Sequence, residues 1–249
     1  MRKLQAMLLA LMAAVGVRAQ EMDAADLEGR IEYAYFTADA NALRNLVSAT
    51  QSSLAKGSDS ALAHYQRGHA QYRLGLVLQA RSDPKASEAF SACVEALGKA
   101  IDADKEFAEA YALQSACYTK QSELKAWKVV VDLPLASSKL EKALKLAPKN
   151  PRVTLIDALT DYERPRGLGG DQQRACSNFE KAARLFDATT DETRLPGWGA
   201  ADAYFHVGLC LSEGGDVLGA RNALERALII APDFAAARAE LRRVIAPKS

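Results

Sequence analysis

The chain has 249 residues, of which 49% are apolar, 25% charged and 7% aromatic, and its formal net charge is +1. That balance excludes a disordered or collagen-like chain, and the near-zero charge excludes long-range attraction to nucleic acid. Alanine, leucine, lysine, glutamate and arginine dominate, and no run of β-branched residues alternates with period two, so the expected fold is all-α.

The first residues, MRKLQAMLLALMAAVGVRAQ, carry Arg2 and Lys3, then an apolar run from Met7 to Val17, then small residues up to Ala19. This pattern predicts a secretory signal peptide over 1–19, cleaved after Ala19. A retained membrane anchor is the alternative reading, against which the run is too short to span a bilayer. No cysteine ends the run, which disfavours a lipid anchor. Without these residues 29 basic groups face 31 acidic ones, a net charge of −2. The expectation is an exported, periplasmic chain of a Gram-negative bacterium, soluble after cleavage, with no stable membrane anchor.

Residues 20–249 read as a single domain of helical hairpins. LEGRIEYAYFTA and NALRNLVSATQSSLAK make a degenerate first hairpin at about 24–57. ALAHYQRGHAQYRLG, with Gly68, opens a second at about 60–104, whose second helix repeats small, large and small residues at Cys93, Leu97 and Ala100. EAYALQSACYTK, with Ser115, pairs with Ala136, Leu140 and Ala143 ahead of Pro148 in a third at about 107–149. NPRVTLIDALTDY, with Ala158, pairs with Ala175, Phe179 and Ala182 in a fourth at about 150–187. Insertions near 75–86, 122–133, 163–170 and 188–200 make the spacing irregular. The fifth hairpin, at about 200–234, contains ADAYFHVGLCLSEGGDVLGARNALERALIIAPDF. Tyr204, Val207, Gly208 and Leu211 share one helix face in it, and Ala220, Leu224, Ala227 and Leu228 share another. SEGGD turns between them and Pro232 stops the second helix. FAAARAELRRVIA supplies a capping helix at 235–246.

This last copy resembles the tetratricopeptide repeat (TPR) family, with Tyr204, Gly208, Ala220, Leu224, Ala227 and Pro232 in register over 34 residues. The resemblance implies a right-handed superhelical solenoid of about five TPR-like hairpins with a C-terminal capping helix, each hairpin burying its apolar face on the next. In that family the first helices line a concave groove that receives a peptide or a partner helix. Carried onto this sequence, the resemblance implies a partner-binding groove at Tyr65, His69, Tyr72, Arg73, Lys120, Arg152, Tyr162, Phe205 and Leu209. Where some relatives carry a lysine and asparagine carboxylate clamp, this chain has Tyr65, Ala112, Leu155 and Phe205, so the implied groove is aromatic and apolar. The inserted LPGWGA, with Trp198, reads as a partner-contacting loop or as a lid on the fourth hairpin.

Motifs of chemistry are scarce. GLGGDQQ (167–173) and SEGGD (212–216) lack the GxxxxGK[ST] and GxGxxG spacings of phosphate loops and read as glycine turns. His64 and His69 stand five apart, and neither they nor His206 belong to an HExxH pattern; all three read as surface or groove histidines. No GxSxG elbow is present. The chain is therefore expected not to be an enzyme, and no catalytic, metal or cofactor residue is assigned.

Cys93, Cys117, Cys176 and Cys210 all lie in the exported part, where disulfides persist. In the hairpin arrangement Cys93 and Cys117 stand twelve residues either side of residue 105. Cys176 lies eleven before 187, and Cys210 lies ten after 200. Two bridges at equivalent seams are one reading. Four free thiols in small packing slots are the other. The smallest spacing, 24 residues, speaks against CxxC redox chemistry. The function expected is an exported scaffold that binds a protein or peptide partner in cell-envelope complex assembly or maintenance, with homo-oligomerisation open. The alternative is a noncanonical enzyme or a small-molecule carrier with a pocket under the inserted loops.

Overall fold

The computed structural model describes residues 23–55, 59–189 and 195–246; the expected signal peptide at 1–19 lies outside them. Among the described residues eleven α-helices succeed one another: α1 (Ala24–Phe36), α2 (Ala40–Ala55), α3 (Ala61–Ala80), α4 (Ala86–Ala103), α5 (Ala108–Leu124), α6 (Val129–Leu146), α7 (Pro151–Glu163), α8 (Gln172–Asp187), α9 (Ala200–Glu213), α10 (Val217–Ile230) and α11 (Ala235–Ile245). Short 3-10 turns precede α6 at Ala126–Lys128 and α8 at Arg166–Leu168.

Local chemistry sets several of the starts. Ser60, Asn150, Asp171 and Asp216 each accept a first-turn backbone N–H through a side-chain oxygen. Pro151 takes the first position of α7, where its missing N–H would have no helical partner. Gly215, at φ 83°, makes the turn between α9 and α10 in a conformation that other residues resist.

Helices pair in chain order from α1–α2 to α9–α10, successive hairpins stack through α4 on α5 and α8 on α9, and α11 closes against α10. The small-large-small faces are what the second helices bury: Cys93, Leu97 and Ala100; Ala136, Leu140 and Ala143; Ala175, Phe179 and Ala182; Ala220, Leu224 and Ala227. Two glycines mark the same crossing in different copies. A Cβ at Gly68 would stand 2.5 Å from Leu97 Cγ, and one at Gly208 would stand 2.7 Å from Leu224 Cγ, both closer than side-chain carbons approach. Helix α5 buries Ala110, Tyr111, Ala112, Leu113, Gln114 and Ser115 in succession, the pattern of a helix enclosed on all sides.

The solenoid also meets itself end to end. Phe36, the last residue of α1, has its ring centroid 4.4 Å from that of Phe234, just ahead of α11. Phe205 of α9 completes the cluster at 4.9 Å from Phe234.

Candidate functional site

At the centre of the candidate site is Arg73, on α3, a fully buried side chain. Its guanidinium faces two carboxylates: Nε and Nη2 donate to Glu32 of α1 at 2.8 and 2.7 Å, and Nη1 and Nη2 donate to Asp202 of α9 at 2.8 and 2.7 Å. The Tyr35 ring lies 3.9 Å from the guanidinium carbon and stacks a π-face on it. Burial alone would raise the Glu32 carboxyl, but the charges of Arg73 and His69 outweigh it and hold the pKa at about 2. The same carboxylates raise Arg73 further above its ordinary value, against the opposing effect of burial.

Trp198 fills the space beside this centre. Its indole N–H donates to the Tyr65 hydroxyl at 2.8 Å, and its ring stacks on His69 with centroids 4.7 Å apart. Arg152 donates to its carbonyl oxygen at 3.2 Å, and the Gly197 N–H donates to Glu28 at 2.7 Å. Gly199 follows at φ 112°, where a Cβ would stand 2.8 Å from the Phe186 ring, so glycine is required there on both counts. Burial raises the Glu28 carboxyl. His69 Nε2 approaches Glu32 Oε1 to 3.1 Å without hydrogen-bond geometry, and its Nδ1 has no partner among the described residues.

Between these parts and the end-to-end contact lies a cavity of about 380 Å³. Phe36, Phe205 and Phe234 wall one side, Tyr72, Leu76 and Val77 of α3 the other, and Arg73, Asp202, Glu163 and His206 stand in its lining. His206 Nδ1 lies 2.8 Å from the Asp202 carbonyl oxygen. Burial lowers its pKa, so the ring is neutral and Nδ1 carries the proton. Glu163 is raised by burial, partly opposed by Lys120 at 2.8 Å.

The residues singled out in the sequence fall into three places. Tyr72, Arg73 and Phe205 line the cavity. Tyr65, His69 and Arg152 are buried against Trp198 and its loop. Lys120 is buried between Glu123, at 3.1 Å, and Glu163; the Tyr162 hydroxyl donates to Glu213 at 2.6 Å; Leu209 is half-buried on α9. Sequence reasoning missed Glu32, Tyr35, Phe36, Glu163, Asp202 and Phe234. The aromatic cluster EYAYF in the degenerate first hairpin was the available signal, but its partners are remote in the chain. Trp198 of the inserted LPGWGA is buried against Tyr65 and His69 of α3. Among the described residues no three metal-ligating side chains converge, and no helix is long and apolar enough to cross a membrane.

The cysteines meet in two pairs at disulfide distance, Cys93 with Cys117 (Cα–Cα 6.2 Å) and Cys176 with Cys210 (5.7 Å). Each pair joins the second helix of one hairpin to the first helix of the next.

No protein-family model matches the sequence, and neither does any curated protein. Solved structures do match in fold. The HusA haemophore from Porphyromonas gingivalis superposes with a TM-score of 0.60 at 21% identity, over 78% of this chain and 96% of that one. TTC0263, a thermophilic TPR protein from Thermus thermophilus, superposes with a TM-score of 0.58 at 16% identity, over 82% of this chain and 91% of that one. The chain has an all-α helical-repeat fold of TPR type.

Proposed function

We propose that this chain is an exported binding protein that carries a small, largely apolar molecule in the cavity between α1, α3 and α9. The observation that carries this reading is the filled concave face. A groove for an extended peptide needs the first helices open, whereas α1 and Trp198 occupy that space and leave a chamber of small-molecule dimensions walled by aromatic rings. The neighbour HusA, a haemophore, supports a carrier on this fold. Export is supported by the basic-apolar-small pattern of 1–19 and by the two cysteine pairs, which an oxidising compartment keeps bridged.

The test is to purify the chain from its own envelope fraction and compare native mass with the mass after organic extraction. One released class of small molecule is expected. Haem is the first compound to titrate, read by its absorbance and by Trp198 emission in a Trp127→Phe background. An empty chain whose emission no apolar compound moves would overturn the carrier.

A second reading, a scaffold in cell-envelope complex assembly, draws on a different surface. Trp127, in the 3-10 turn before α6, and Val130 and Val131, in its first turn, are 72%, 80% and 56% exposed. Val130→Asp should then abolish recovery of a protein partner while leaving ligand occupancy intact.

A further inference from the structure

We propose that the cavity selects an organic cation: an apolar, ring-bearing amine whose protonated nitrogen points at His206 and Glu163. This rests on the carrier reading and names the chemistry of its ligand.

The argument begins with the hydrogen-bond donors, because an anionic ligand would need one. Among the described residues Arg73 is the only cation deep in the lining, and four hydrogen bonds to Glu32 and Asp202 engage its fork. One Nη1 N–H is left over, and a ligand carboxylate that took it would face the Glu32 and Asp202 carboxylates beside it; taking the fork itself would displace a buried carboxylate and leave it unpaired, which is strongly unfavourable. Lys120, behind Glu163, is held by two glutamates. Arg81 stands exposed at the rim and donates to the Ala38 carbonyl oxygen, in a place where water screens its charge.

What the wall leaves open are acceptors. Because His206 gives its Nδ1 proton to a backbone carbonyl, its Nε2 carries a lone pair, and that nitrogen has no partner among the described residues. The ring is held in place by stacking on Phe179, with centroids 4.7 Å apart. Glu163 binds Lys120 through Oε2 and leaves Oε1 without a partner among the described residues. Around these acceptors stand the rings of Phe36, Phe205 and Phe234, and an aromatic π-face attracts a cation and repels an anion. Acceptors, a carboxylate and aromatic faces in one chamber are the complement of an ammonium on a hydrophobic frame.

The test uses three probes of matched size: 1-naphthylmethylamine, 1-naphthylmethanol and 1-naphthylacetate. Binding is read by calorimetry and by Trp198 emission in the Trp127→Phe background. The amine should bind at least about ten-fold more tightly than the acetate, the contrast expected when a charge-assisted hydrogen bond replaces a like-charge contact. Glu163→Gln should remove most of that preference and leave the alcohol unchanged. His206→Phe, which keeps the stack on Phe179, should weaken the amine selectively, so a poorly folded form of one variant does not decide the matter. If the alcohol or the acetate binds as well as the amine, the cation proposal falls and the carrier stands. If none of the three probes nor haem binds, the carrier reading falls with it.

Discussion

Between α4 and α5, and again between α8 and α9, neighbouring hairpins meet through residues 24 and 34 apart in the chain, each seam marked by a cysteine pair. Where α1, α3 and α9 come together the contacts join residues much further apart: 129 for Arg73 with Asp202 and 169 for Gly197 with Glu28. The first kind of seam is apolar, repeated and local. The second is a single buried charge cluster with aromatic rings stacked around it. Local stacking forms helix by helix, whereas the closing seam assembles only when the whole solenoid is in place, because its loop entropy is met by contacts that exist only then. The cavity belongs to the closing seam, so its integrity should be the more fragile property of the molecule.

The largest effect that would separate the two seams comes from Arg73. Arg73→Leu leaves Glu32 and Asp202 facing each other in a dry site with no cation between them. A loss of about 3–5 kcal/mol is expected, as for breaking a buried ion pair from one side. Urea unfolding measures it, and Arg73→Leu combined with Glu32→Gln and Asp202→Asn should recover part of the loss. A loss below about 1 kcal/mol would mean that the centre is far wetter than its burial indicates.

Next comes reduction of the local seams. The cysteine pairs close short loops, and each bridge is worth about 2–4 kcal/mol. Reduction should therefore lower the unfolding midpoint while leaving ligand affinity nearly unchanged, because neither pair lines the cavity. Alkylation without prior reduction should leave the mass of the exported chain unchanged. Four alkylated thiols would show that the pairs are packed but not bonded.

The same contrast explains what could be read from the sequence. Gly208 against Leu224, Pro232 after α10, and the small-large-small faces of α4, α6, α8 and α10 follow from helical spacing within some thirty residues, so periodicity exposes them. The cysteine pairs follow too, since equal height on antiparallel neighbours is a local condition. The cavity does not. Phe36 meets Phe234 and Arg73 meets Asp202 only through the accumulated rotation of the stacked hairpins, which no spacing of residues encodes directly. The family resemblance pointed to Tyr72, Arg73 and Phe205 as groove residues, but it could not reveal that α1 and the insertion around Trp198 pack on α3. Glu32 and Glu163 carry no motif, and their importance arises only from what burial and a neighbouring cation do to them.

The smallest effect concerns the proton equilibrium of the closing seam. The folded-state pKa of Glu32 is about 2, against an ordinary 4.5, because Arg73 and His69 outweigh the effect of burial. A depressed carboxyl stabilises the fold fully above its unfolded pKa and loses that contribution as pH falls through its folded one. Glu32→Gln keeps an acceptor for Arg73 and removes the charge, so a deficit of about 1–2 kcal/mol is expected at neutral pH, the difference between charged and neutral hydrogen bonds. That deficit should shrink between about pH 4.5 and 2, where the native protein protonates the same group. Glu163, which burial raises, titrates alike in both proteins and cancels in the comparison, whereas Glu28, raised by burial and in smaller part by the Glu32 charge, is eased in the variant and takes a small share of the acid-side change. Urea unfolding of the two proteins at a series of pH values gives the curve. A deficit that is flat to acid pH, or that grows there, would show that Glu32 is not the ionised partner of Arg73.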